Sequence, residues 1–123
     1  MKCLSLMQPY AQLVSSGRKR IELWSWNTRY RGWFLVHASK KLDSEAADRL
    51  GIGEALARGA VIGKARIYGV KRYNNREELA GDYALHMAQN YKIPAYGFLL
   101  DGAELFEKPR EMNGKLGFFD IDA

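Results

Sequence analysis

Leu4-Ser5-Leu6-Met7-Gln8-Pro9-Tyr10-Ala11, Gly17-Arg18-Lys19-Arg20-Ile21-Glu22 and Ser25-Trp26-Asn27-Thr28-Arg29-Tyr30-Arg31-Gly32 are the stretches on which the reading of this chain turns. Lys2 to Met7 is a short apolar run of strand length. Pro9 is suited to the first turn of a helix, and Tyr10, Leu13 and Val14 then recur at helical spacing up to Gly17, a residue that favours a left-handed helix end. Arg20 to Trp26 alternates and is rich in Ile and Trp, so it reads as a strand. Ile21, Leu23 and Ser25 fall on one side of it, and Arg20, Glu22, Trp24 and Trp26 on the other. Asn27 to Gly32 is a polar turn.

The same region holds the charge. Seven basic residues (Arg18, Lys19, Arg20, Arg29, Arg31, Lys40 and Lys41) lie between positions 17 and 41 against one acid, Glu22, with Trp24, Trp26, Tyr30 and Trp33 interleaved. Residues 1–50 carry nine Lys or Arg and four acids, and residues 51–123 carry ten of each, so the whole net charge of +5 resides in the first two fifths. Cations bind phosphates and flat rings stack on bases, so the mixture suits a nucleic-acid surface. It equally suits a solvated basic face with tryptophans packed beneath.

Further along, Trp33 to Ala38 is a nearly continuous apolar run, expected as a strand buried on both sides. Ser44 offers an N-cap for a helix to about Ala57, which Gly51 and Gly53 weaken and can split. Val61 to Tyr73 reads as a long strand with bends at Gly63 and Gly69. Arg76 to Tyr91 accommodates short helices, and Tyr96–Leu100, Ala103–Phe106 and Gly117–Ile121 close the chain as strands, the last two separated by Pro109 and Asn113-Gly114. About six strands with small helices interposed predict one α+β domain over residues 1–123, built on a curved sheet or barrel.

Composition excludes several classes. At 123 residues, 47% hydrophobic and 12% aromatic, the chain has material for one packed core. No apolar run approaches the length of a membrane span, and Gln8, Gln12 and Arg18 interrupt any signal-like segment. The expected location is the cytosol, or the nucleus if the source has one. Cys3 is alone in an apolar run and reads as a small buried residue. His37 and His86 are far apart with no Cys at ligand spacing, so neither a metal nor a cofactor is expected.

Leu4-Ser5-Leu6-x-Gln8-Pro9-Tyr10-Ala11, Gly17-x-Lys19-x-x-Glu22 and Ser25-Trp26-x-Thr28-x-Tyr30-Arg31-Gly32 resemble the ASCH domain, a member of the PUA-like β-barrel superfamily. Leu105-Phe106-Glu107-Lys108-Pro109 and Gly114-Lys115-Leu116-Gly117 are similar to that family's closing hairpin. The resemblance implies a PUA-like barrel with short flanking helices and a cleft for RNA or DNA. It also implies an alternative, since some relatives are small amidohydrolases acting on modified cytidine nucleosides and others are nucleases. The signature Gly-x-Lys-x-x-Glu-x-Arg is matched at Gly17, Lys19 and Glu22, while Trp24 stands at its final arginine. By the same resemblance Lys19 takes the place of the amidohydrolases' catalytic lysine, but Glu22 stands where those enzymes have a threonine hydroxyl.

The expected nucleic-acid-binding set is Arg18, Lys19, Arg20, Trp24, Trp26, Tyr30, Arg31, Lys40 and Lys41. The cations would hold phosphates, and Trp24, Trp26 or Tyr30 would stack on a base. A hydrolase would instead rest on Lys19 and Glu22 as its ionisable pair. Lys19 is expected to reach a cleft with its stem half buried, Glu22 to pair with Lys19, Arg20 or Arg31 or to stay at the water boundary, and Trp24 to be either a stacking platform or packing. His37, inside an apolar strand, reads as a hydrogen-bonded core residue. The partner is a nucleic acid or a nucleotide-like small molecule.

Overall fold

The computed structural model describes residues 1–52, 56–89 and 91–122. Six strands, β1 (Lys2–Gln8), β2 (Ile21–Trp24), β3 (Gly32–Leu42), β4 (Ala60–Tyr73), β5 (Ala95–Glu111) and β6 (Phe118–Asp120), are combined with four short helices. These are α1 (Tyr10–Ser15), α2 (Ser44–Arg49), α3 (Arg76–Gly81) and α4 (Tyr83–His86), and the fold is α+β as expected. The strands form one mixed sheet in the order β2-β5-β4-β3-β1-β6, with β1 and β3 parallel and the other pairs antiparallel. Among the described residues no ladder joins the edges β2 and β6, so the sheet is barrel-like but not closed by hydrogen bonds.

Rings bring the two sides together. Phe98 on β5 and Phe118 on β6 belong to strands with three others between them, yet their rings stack nearly parallel with centroids 6.2 Å apart. Trp26 meets both edge-on at 5.3 and 5.9 Å, and Tyr30 and Phe34 meet Phe118 at 5.3 and 6.2 Å. Such tilted and stacked pairs add to the area the rings bury. Inside the curl lie Leu4, Leu6, Val14, Phe34, Val36, Ile62, Ile67 and Phe98.

Several boundaries differ from the expected ones for physical reasons. β2 stops at Trp24 because Trp26 leaves the ladder to enter the ring cluster. The two strands expected at 96–100 and 103–106 are one, β5, which passes Gly102 at φ +62° and accommodates Pro109. Pro109 fits because β5 is out of register there: Val61 pairs with Arg110 and Gly63 with Leu105, so Pro109 falls in a bulge where no ladder donor is needed. The expected bends at Gly63 and Gly69 coincide with register shifts in β4. α2 is capped by Asp43, whose Oδ1 accepts from Ala46 N at 3.0 Å, and it ends before Gly51 at φ +65°. Its expected continuation through residues 53–55 lies outside the described residues. Trp33, expected in a doubly buried strand, is 42% exposed; it lies over Gly102 with the Lys64 ammonium 4.9 Å from its ring. No described helix is long and apolar enough to cross a membrane.

α1, at six residues, is too short to be stable alone and is held by packing on the sheet. Its seat is Gly63 on β4, where a Cβ would run into the backbone carbonyl of Glu104 on β5 and fall 2.5 Å from Ser15 Oγ and 2.6 Å from Ser15 Cβ. Gly63→Ala should therefore press on both α1 and the β5 backbone and cost about 1–3 kcal/mol. Denaturant unfolding measures it, and Gly81→Ala at the exposed end of α3, where a Cβ meets nothing within 4 Å, serves as the control with little loss.

Candidate functional site

The chain leaves α1 through Gly17 at φ +81°, and Lys19 N then donates to Leu13 O at 3.0 Å. Arg20 N donates to Leu85 O and Arg20 O accepts from Leu100 N, so the backbone here is clasped between α4 and β5. This fixes Lys19 with its side chain turned inward, only 2% exposed, which is deeper than the half-buried stem expected. Its Nζ donates to the carbonyl of His86 at the end of α4, lies 3.9 Å from Glu22 Oε2 and sits 5.2 Å from the centre of the Tyr10 ring. His86 donates from Nε2 to Leu79 O and accepts at Nδ1 from Ala88 N, which defines a neutral Nε2–H ring.

Burial dominates the electrostatics of the pair. It lowers the Lys19 pKa, which the Glu22 carboxylate offsets only in part, and it raises the Glu22 pKa, which the Lys19 ammonium offsets only in part. Tyr10, desolvated and donating to Asp43 Oδ2 at 3.2 Å, is pushed up to about 12. Burial likewise pushes the Cys3 thiol up to about 11, so that it stays protonated and inert at neutral pH.

A cleft of about 840 Å³ opens over this pair. Of the expected residues it gathers Lys19, Glu22, Trp24, Lys40 and Lys41. Trp24 is half-buried, packed on Trp26 at 5.1 Å and Phe98 at 6.2 Å while also lining the cleft, so it serves as packing and wall together. Two polar atoms of this wall, Glu22 Oε2 and Trp24 Nε1, are buried with no hydrogen-bond partner among the described residues.

Arg18, Arg20, Trp26, Tyr30 and Arg31 do not line the cleft. Trp26 and Tyr30 are committed to the ring cluster that closes the sheet. Arg31 donates to Thr28 O and Tyr30 O at 3.0 Å each and braces its own turn, so among the described residues Glu22 pairs with Lys19 alone. Arg18 and Arg20 stay exposed, Arg20 beside Asp101 and Gly102 on a separate small pocket. The cleft also includes Tyr10, Asp43, Tyr91 and Lys115, which sequence reasoning did not select. Tyr10 and Lys115 stood in the quoted motifs without being assigned to the site; Tyr91 arrives only through the fold, held by donating to Leu23 O at 3.2 Å.

The ASCH domain family model matches residues 4–110. Among solved structures, the ASCH protein from Zymomonas mobilis aligns at a TM-score of 0.64 and 16% identity, over 89% of this chain and 72% of that one. A serine-to-alanine variant of the same protein aligns at 0.67 and 14% over 90% and 73%, and a tyrosine-to-phenylalanine variant at 0.62 and 14% over 89% and 74%. At such identities the likeness is one of fold. No curated protein matches the chain.

The pair has a pH signature. A carboxyl whose folded pKa is raised above the ordinary 4.5 stabilises the fold below that value and loses this contribution as pH rises through the raised one. Glu22→Gln keeps the shape and cannot ionise. Its melting temperature minus that of the parent should therefore increase between pH 4.5 and neutrality; a difference independent of pH over that window contradicts the assigned direction.

Proposed function

The chain belongs to the ASCH domain family, and from that membership we propose that its cleft receives an unstacked base of single-stranded or locally distorted RNA or DNA. The observation that carries this reading is the open pair Glu22 Oε2 and Trp24 Nε1, buried, without a hydrogen-bond partner among the described residues and two residues apart on residues that line the cleft. Buried polar atoms in folded proteins are paired in the great majority, so an acceptor and a donor left open together suit a ligand that supplies both partners. The edge of a cytosine or adenine presents an amino donor beside a ring-nitrogen acceptor. The Trp24 indole adds a flat face of the kind on which bases stack.

Lys40, Lys41 and Lys115 line the same cleft, and none of the three is in an ion pair among the described residues. They suit the phosphates flanking the inserted base, while exposed Arg18 and Arg20 add to the positive field that steers a polyanion. One observation favours a second reading, hydrolysis of a modified nucleoside or nucleotide. Lys19 and Glu22 are shielded from water and each is shifted toward its neutral form, as a buried base or nucleophile would be. Release of cytidine from an acylated cytidine, abolished by Lys19→Ala, would replace the binding reading with that one.

Binding of a single-stranded oligonucleotide should weaken steeply with salt. Replacing both Lys40 and Lys41 by Ala should make the log–log slope shallower by about 1.4, since each phosphate contact contributes about 0.7 for single strands. Arg31→Ala, outside the cleft, should leave the slope within error of the parent's. Fluorescence titration at a series of salt concentrations reads both, and a slope unchanged in the double variant removes the lysine rim from the site.

A further inference from the structure

A second polar constellation lines the cleft and takes no part in the base-binding reading. Ser5 on β1 and His37 on β3 are register partners in the parallel ladder, and both lie on the face opposite Leu4, Leu6, Val36 and Ala38, which fill the interior. His37 Nε2 lies 2.7 Å from Met112 O, and a carbonyl can only accept, so Nε2 carries the proton. In the neutral ring Nδ1 is then an acceptor, and the Ser5 hydroxyl 2.8 Å away donates to it. The order is hydroxyl to imidazole to an orienting carbonyl, the arrangement of a serine nucleophile activated by an oriented base.

Its surroundings add to the geometry. The ring is 2% exposed and packs edge-on to Phe119 at 6.4 Å, so its orientation is fixed. Gly114 packs beside the pair: a Cβ there would fall 2.8 Å from Ser5 Oγ and from His37 Nδ1 and Cε1, so any larger residue would press on both. Ser5 is half-buried and, with His37, Gly114 and the unpaired Lys40, Lys41 and Lys115, lines the cleft.

We propose that Ser5 and His37 form a nucleophile and base that hydrolyse carboxylic esters bearing an anionic group, the lysines holding the anion. Ser5 Oγ bonds to the acyl carbon and its proton passes to His37 Nδ1. The bond from that carbon to the alcohol oxygen breaks, and the proton goes to the departing oxygen. Water then adds to the acyl carbon, giving one proton through His37 Nδ1 to Ser5 Oγ as the acyl–serine bond breaks. The products are the carboxylic acid and the alcohol, with the dyad restored.

The test treats the full chain with a fluorophosphonate and maps the adduct by peptide mass spectrometry. Ser5 should be labelled in preference to Ser15, Ser16, Ser25, Ser39 and Ser44, which serve as internal controls. His37→Gln can still donate to Met112 O and accept from Ser5 but cannot take up a proton, so labelling should slow by about 100-fold. A purely structural tie between β1, β3 and the Met112 segment predicts no adduct at Ser5, and that result overturns the proposal. Labelling of folded His37→Gln at the parent's rate overturns it as well. Should His37→Gln fail to fold, the parent decides alone: Ser5 labelled in preference to the other serines upholds the proposal, and Ser5 unlabelled refutes it. Glu22 and Trp24 take no part in this reaction, so its failure leaves the base-binding reading intact.

Discussion

The stacking of Phe98 on Phe118 is the contact on which the shape of this protein depends. Six strands whose edges share no ladder among the described residues stay curled because rings from β5 and β6 meet across the interior, with Trp26 wedged against both. Burial of rings drives this, since it is proportional to apolar area and indifferent to direction, while tilted and stacked geometries set the final arrangement. Closure also divides the aromatic residues of the basic segment. Trp26 and Tyr30 are spent on it, and Trp24 is left at the boundary, one side on Trp26 and Phe98 and the rest on the cleft.

Beside this boundary the fold does something costly. An ammonium and a carboxylate are taken out of water, and their attraction at 3.9 Å does not restore what hydration supplied. The His86 carbonyl and the Tyr10 ring compensate Lys19, whereas Glu22 Oε2 has only the Lys19 ammonium at 3.9 Å, and neither it nor the nearby Trp24 Nε1 has a hydrogen-bond partner among the described residues. Unsatisfied groups of this kind cost stability in the free protein, and a ligand that pairs them recovers that cost on binding. The location is consistent with that use, because the open atoms belong to residues that line a cleft and are not sealed within the core.

Much of the fold was legible along the chain. Tyr10, Leu13 and Val14 at helical spacing marked α1, the β-rich segments marked their strands, and the run of motifs from Leu4 to Gly32 resembled the family to which the chain belongs. What escaped were effects of partners distant in sequence. A strand through Pro109 requires knowing that β4 leaves its register there. The commitment of Trp26 to closure requires Phe118, ninety-two residues later. In the site, Lys19 and Glu22 were readable from their three-residue spacing and the motif around them. Tyr91 and Lys115 reach the cleft only because α4, β5 and the segment after β5 fold back over β2 and β3, and the bracing of Arg31 by its own turn depends on a conformation that composition does not reveal.

The central claim is that the open donor and acceptor of Glu22 and Trp24 await a base. Titrating ¹⁵N-labelled protein with a short single-stranded oligonucleotide tests it through the three indole N–H signals, which report Trp24, Trp26 and Trp33 separately. The account predicts that the Trp24 signal moves downfield as its Nε1–H acquires an acceptor, while the signals of Trp26, locked in the ring cluster, and of Trp33, on the outer face of β3, stay in place. Saturable binding that leaves the Trp24 signal unmoved would contradict it.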